Sequence, residues 1–191
     1  MDKVKVHKNI DQKDFFEEQC PFRSLHFFQN DENVVNFISL EEQSYCERTK
    51  ISISFRIPEF HKSIATPDGS IFLIGGTWHR CNQKSNEIFQ YDFKGNTLIR
   101  VARLFNARSS HSLSLSGNGR YIYILGGIGS DGSVTNSCER FDTQTFRVEE
   151  IGRLNLPVCS FASCSFNERY ICKFGGVTGD KSLVHTMVVW H

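Results

Sequence analysis

Three glycine pairs recur along this 191-residue chain: Gly75-Gly76, Gly126-Gly127 and Gly175-Gly176, 51 and 49 residues apart. A fixed period of that size marks a repeat architecture, in which each unit buries its apolar faces only against its neighbours. All 14 glycines fall between Gly69 and Gly179. Each pair ends an apolar run: Ile71–Ile74, Tyr121–Leu125 and Tyr170–Phe174. About fifteen residues further on comes an aromatic followed by aspartate, Tyr91-Asp92 and then Phe141-Asp142. His61 stands 14 residues ahead of its pair, His111 15 ahead of its own, and Phe161 takes the matching place 14 before the third.

Within a unit the pattern alternates with a period of two. His111–Ser116 puts leucines on one face and serines on the other, as a strand does and a helix does not. The best-preserved unit therefore predicts four short strands, over roughly 110–116, 120–127, 137–142 and 146–151. Gly117-Asn118-Gly119 supplies a turn between the first two, and Asp142 is placed for an Asx-turn into the fourth. The glycine pair closes the second strand, where a missing Cβ permits positive φ and close approach of other backbone. No segment from residue 61 onward carries a 3.6-residue period.

These residues resemble the kelch repeat, whose signature is an apolar strand ending in Gly-Gly, then an aromatic-Asp, then an aromatic in the fourth strand. The resemblance covers residues 61–176 and departs from the pattern at the last position, where Leu98 and Val148 stand. It implies an all-β fold, a kelch-type β-propeller with one four-stranded blade per repeat. The repeats are 61–109, 110–156 and a partial one, 157–191, in which Leu183–Trp190 supplies a third strand. Upstream, Ser24–Gln29, Asn33–Leu40 and Lys50–Phe55 are expected as second, third and fourth strands of a degenerate blade, 24–60. There Asn30-Asp31 replaces the glycine pair, because Asn and Asp tolerate the left-handed region. Residues 1–23 form an extension, with one or two helical turns over 11–20 and a closing strand over Lys3–Ile10.

About three and a half blades make an incomplete ring, since kelch propellers close with roughly five to seven. Two bare flanks of on the order of 500 Å² each forgo roughly 25 kcal/mol of burial at about 25 cal/mol/Å². That exceeds the roughly 5–15 kcal/mol stability of a typical domain. Three resolutions are open: a small four-bladed ring, completion by a second copy or another chain, or a chain that is a fragment of a longer product, with no function of its own.

Composition limits the function. With 22 Lys+Arg against 21 Asp+Glu the chain lacks the charge of a dedicated nucleic-acid binder. No apolar run approaches the roughly 18–20 residues that cross a bilayer, so no membrane partner is expected. The polar opening residues do not read as a signal peptide. Seven cysteines without framework spacing, and no N-x-[ST] sequon, point to free thiols in the cytoplasm.

The chemical motifs read weakly. Gly127-Ile128-Gly129-Ser130-Asp131-Gly132 matches G-x-G-x-x-G, but a dinucleotide site needs a helix next and Ser133–Thr145 predicts loop, strand and turn. Cys159, Cys164 and Cys172 lack the paired spacing of structural zinc, so no metal and no cofactor are expected. No G-x-S-x-G elbow is present, and the aspartates sit in turns. Some kelch-containing proteins are sugar-processing or oxidase-type enzymes; that alternative would need insertions this chain lacks, and catalysis is not expected. Binding of a protein or peptide, as scaffold or recognition adaptor, is the favoured reading. The loops after the glycine pairs, 77–86, 128–136 and 177–182, converge at one mouth of a propeller. Trp78, His79 and Arg80 in the first are interface-enriched residue types. By the resemblance, Arg108, His111 and His61 would line a central opening that grips acidic peptides. The alternative is that the two histidines only bond neighbouring strands and that Trp78 packs beneath its loop.

Overall fold

The computed structural model describes residues 24–29, 33–39, 46–166, 170–184 and 187–190. The expectations for Lys3–Ile10, for residues 11–20 and for Asn30-Asp31 lie outside them. Among the described residues there is no helix.

The first sheet has the order β1 (Ser24–Gln29), β2 (Val34–Ser39), β3 (Cys46–Lys50). The second is β4 (Lys62–Ala65), β5 (Ile71–Ile74), β8 (Glu87–Asp92), β9 (Thr97–Arg103); between β5 and β8 lies a small ribbon of β6 (Thr77–Trp78) and β7 (Gln83–Lys84). A short β10 (Arg108–Ser109) leads into the third sheet, β11 (Ser112–Leu115), β12 (Tyr121–Leu125), β14 (Ser137–Asp142), β15 (Val148–Arg153); β10 pairs with β13 (Ile128–Gly129). The fourth is β16 (Ala162–Phe166), β17 (Tyr170–Phe174), β18 (Met187–Trp190). Every pairing is antiparallel.

The turns follow from local chemistry. Asp142 Oδ1 accepts the amides of Gln144 at 2.9 Å and Thr145 at 3.2 Å, which folds β14 into β15 as expected. Asp92 does the same for Lys94 and Gly95. One expectation fails. Ile51–Phe55 carries no strand, and the third strand of the first sheet is Cys46–Lys50. Asn33 explains it: its amide nitrogen donates to Phe55 O at 2.7 Å and its oxygen accepts the Ile57 amide at 3.0 Å. Backbone groups that a ladder would use are bound by a side chain instead.

Burial alternates with the sheets. One cluster, with Val35, Ile71, Leu73 and Phe89, packs the first sheet on the second. A second, around Phe72, Ile74, Ile122, Ile124 and Phe141, packs the second on the third. A third, with Leu125, Leu154, Phe161 and Ile171, packs the third on the fourth. Leu113 and Leu115 of β11 face the second cluster, while Ser112 and Ser114 are also buried, on the side of β16. There Ser112 and Ser163 hydroxyls meet at 2.8 Å, Ser163 donates to Leu113 O at 3.2 Å, and Ser165 donates to Leu115 O. Neighbouring first strands are thus joined by hydroxyls, not by a backbone ladder.

The glycine pairs are the points where successive units touch. A Cβ on Gly75 (φ +64°) would lie 2.5 Å from Arg108 O, and one on Gly126 (φ +56°) 2.5 Å from Val158 O, both in the lead-in to the next sheet. The second glycine of each pair presses on its own sheet's lead-in: Gly76 on Pro58 and Glu59, Gly127 on Ser109 and His111, Gly176 on Val158 and Cys159. Gly175 differs, for nothing nearer than Val184 O at 3.7 Å would meet its Cβ.

That difference is measurable. Gly175→Ala keeps only the left-handed backbone penalty, about 1–2 kcal/mol, whereas Gly126→Ala adds a backbone overlap and reaches about 3–4 kcal/mol. Urea unfolding of the two variants should separate them in that order; equal losses would refute the packing role assigned to the first glycine.

Candidate functional site

The second, third and fourth sheets each begin with a lead-in beside their glycine pair, and its third residue has positive φ: Phe60 (54°), Ser110 (53°) and Ser160 (52°). The Ser110 amide donates to Phe60 O at 3.2 Å, and the Ser160 amide to Ser110 O at 2.8 Å, so a hydrogen-bonded line crosses from sheet to sheet. Nothing in the residue pattern signals it, because Phe and Ser share no side-chain chemistry and the constraint acts on the backbone.

Arg108 and His111 sit in this layer, but neither reaches solvent. Arg108 is wholly buried and uses its donors inward. Nη1 donates to Gly126 O and Ser137 O, both at 2.9 Å; Nη2 donates to Ser137 Oγ at 2.8 Å and Glu139 Oε1 at 2.7 Å; Nε donates to Asn106 O at 3.3 Å. Glu139, equally buried, also accepts the amides of Phe105 at 2.8 Å and Asn106 at 3.1 Å. The expected peptide-gripping arginine is instead half of a saturated internal ion pair. The places of Arg108 and Glu139 are filled in the second sheet by Pro58 and Phe89, and Val158 stands at the Arg108 place ahead of the fourth.

His111 is buried against Gly75 and Gly127, and neither ring nitrogen has a partner among the described residues. Burial, with the nearby Arg108 guanidinium adding to it, lowers its pKa to about 3. Phe161 holds the corresponding place beside Gly126, so this position asks for a flat ring, not a charge. His61 is half-buried; its Nδ1 donates to Pro58 O at 2.7 Å, and burial lowers its pKa as well.

The loop residues divide differently. Trp78 is half-buried under its loop, edge-on to Phe55 with ring centroids 5.7 Å apart. His79 is exposed and meets Glu59 Oε1 at 2.8 Å, and Arg80 is exposed. The other two loops are closed by their own aspartates. Asp131 Oδ1 accepts Ser133 N at 3.0 Å, and Asp180 Oδ1 accepts the Thr178 hydroxyl and, at 3.1 Å, Ser182 N; the Ser133 amide in the first and the Thr178 hydroxyl, then the Ser182 amide, in the second hold the carboxyls below the usual carboxylate range. The G-x-G-x-x-G stretch forms the first of these loops and leads through an isolated Ile128–Val134 bridge to β14. Between the two loops runs an open groove of about 540 Å³, with Val134, Leu156 and Pro157 on its apolar part and Thr178, Asp180 and Ser182 on its polar part. The sequence showed the loops; it did not show Leu156 and Pro157, which come from the connection between β15 and β16.

Cys164 and Cys172 are direct partners across β16 and β17, and both are free thiols. Among the described residues no group of three metal-ligating side chains occurs.

No family model matches the chain, and no curated protein does. Among solved structures it is similar to YjhT, with a TM-score of 0.66 at 16% identity. The match covers 82% of this chain and 49% of YjhT, so the chain spans about half the length of that structure. YjhT is propeller-like, and the four successive antiparallel sheets described above have the same arrangement. The chain has an all-β, partial β-propeller fold.

Two outcomes follow from the buried groups. Glu139→Gln leaves Arg108 charged and uncompensated and should lose about 3–5 kcal/mol in urea unfolding; a loss below about 1 kcal/mol would show that the pair reaches water. The folded-state pKa of His111 lies far below the unfolded value of 6.5, so its contribution is complete above that value and is lost as pH falls toward about 3. His111→Phe should therefore flatten the fall of stability between pH 6.5 and 4; an unchanged slope would refute the burial of a neutral ring.

Proposed function

We propose that this chain is a kelch-type propeller module that binds a protein or peptide without catalysis, as a scaffold or recognition adaptor, through the loops that follow its glycine pairs. The carrying observation is the groove between the third and fourth sheets' loops. It is open along its length, has an apolar part formed by Val134, Leu156 and Pro157, and is edged by hydroxyls and a carboxylate. Leu156 is 44% exposed, and Leu183, which follows the fourth sheet's loop, 66%. Shape and chemistry of this kind suit an extended peptide whose side chains fill the apolar part while its backbone meets the polar edge. Arg80 and His79, on the second sheet's loop at the same end, extend the contact surface. Arg108 and His111 belong to the scaffold that holds the loops, not to the contact set.

Completion of the ring by a second copy or by a further segment is part of this reading. Ser163 and Ser165 point at the third sheet, so Cys164, Phe166 and Phe174 lie on the opposite face of the fourth, with Phe166 57% and Phe174 45% exposed. Cys81, Cys138, Cys159, Cys164 and Cys172 are unpaired, which suits the reducing cytoplasm. No helix among the described residues is long and apolar enough to cross a membrane.

The test is selection of a displayed peptide library on the wild-type chain, followed by affinity measurement on variants. Leu156→Asp should weaken the selected peptides by about tenfold or more, the loss of one buried apolar contact, with the unfolding midpoint unchanged. Peptides that bind Leu156→Asp as well as wild type, or a library that yields none, would overturn the assignment.

A further inference from the structure

At the opposite end of the third sheet, away from its glycine pair, lies a second pocket of about 210 Å³. Arg120 and Tyr121 come from the start of β12, Arg140 and Asp142 from β14, and Arg147 and Glu149 from the turn into β15 and β15 itself. The guanidinium carbons of Arg120 and Arg140 stand 5.1 and 4.6 Å from the centre of the Tyr121 ring. Arg120 donates from Nε at 3.1 Å and Nη2 at 2.7 Å to Asp142 Oδ2, and Arg140 Nη2 lies 2.5 Å from Glu149 Oε2. No carboxylate is paired with Arg147 among the described residues.

The repeat supplies an internal control. Counting from the glycine pairs and the aromatic-Asp positions, the second sheet has Gly69, Ser70, Gln90 and Thr97 where the third has Arg120, Tyr121, Arg140 and Arg147. In that sheet only the aspartate recurs, Asp92 for Asp142, because the turn requires it; the next repeat carries Arg169-Tyr170 at the places of Arg120-Tyr121, so Arg140 and Arg147 are what the third sheet adds. The blade therefore folds without these three arginines and this tyrosine. Residues that the architecture does not need, yet which converge on one pocket, call for a ligand.

We propose that this pocket is an oxyanion site that takes a phosphoryl group. Three guanidiniums face two carboxylates. Glu149 is 57% exposed on its side chain, and its pair with Arg140 is a surface pair of the kind that contributes little. Once Glu149 swings to solvent, the pocket carries two positive charges in excess, matched to a phosphoryl dianion and exceeding what a single carboxylate neutralises. Stacking on Tyr121 holds the two guanidiniums in place, so less freedom is lost when their forks close on the oxygens. The phosphoryl group is supplied either as free phosphate or on a phosphorylated peptide. This site is separate from the loop groove, and either can fail without the other.

The experiment is a titration of the wild-type chain followed by arginine Nε–Hε resonances in NMR, with inorganic phosphate, acetate, a phosphoserine peptide and its unphosphorylated form at constant ionic strength. Phosphate should shift Arg120, Arg140 and Arg147 saturably, and acetate should not. Arg147→Gln should weaken binding by about tenfold, Glu149→Gln should tighten it by about threefold, and Arg153→Gln, on the far end of β15, should change neither. A phosphopeptide that binds more tightly than phosphate identifies the peptide as the source; equal affinity identifies the free anion. Shifts spread over all exposed arginines, acetate as effective as phosphate, or indifference to Arg147→Gln would each overturn the proposal.

Discussion

The structure depends on one close approach, the seating of a following lead-in on the first glycine of the first two pairs. Arg108 O over Gly75 and Val158 O over Gly126 leave no room for a side chain, and that contact brings one sheet's edge against the next. Around it the backbone closes: the Gly76 amide donates to Arg108 O and the Gly127 amide to Val158 O. A wedge-like stack of sheets requires its inner strands to converge more tightly than its outer ones. The glycines supply that convergence at one end of β5 and β12, and the serine hydroxyls between β11 and β16 supply it along the strands.

Given that frame, the repeats diverge wherever geometry allows, and the divergences are informative. The third sheet replaces an apolar pair of positions, filled by Phe89 and Pro58 in the second, with the Glu139–Arg108 pair. Such a pair adds little stability over good apolar packing, but it ties β10, the end of β12 and β14 together through four hydrogen bonds. That end of the sheet carries the loop groove, so the polar lock lies beneath the proposed binding surface. The opposite end carries the arginines on Tyr121, which no packing demand explains.

The two ends of a blade are thus chemically unlike. At the glycine end, hydroxyls and exposed leucines surround the connection between sheets, where side chains from two successive units are brought side by side. At the turn end neighbouring hairpins touch where Gly119 lies against Pro67, but the arginine pocket is built from the third sheet alone. A surface shared by two units suits an extended ligand, whereas a surface within one unit suits a small group, and the two proposed sites follow that division.

The repeat, its strands and its turns were legible in the chain because glycine, alternation and turn-forming aspartate act locally, and each leaves a mark at a fixed offset. Asp142, Gly126 and Leu113 behave as their positions predict. The fate of Arg108 was not legible, since whether a cation grips a ligand or a buried glutamate depends on Glu139, 31 residues away on another strand. Nor was the failure of Ile51–Phe55 to form a strand, which rests on the amide of Asn33 across the sheet. The line of positive-φ residues through Phe60, Ser110 and Ser160 leaves no chemical trace in sequence at all. Sequence determined the period and the kind of unit, because those are set within a few residues; only the tertiary structure decided which polar groups face water and which face each other, because burial is a property of neighbours that the chain brings together from afar.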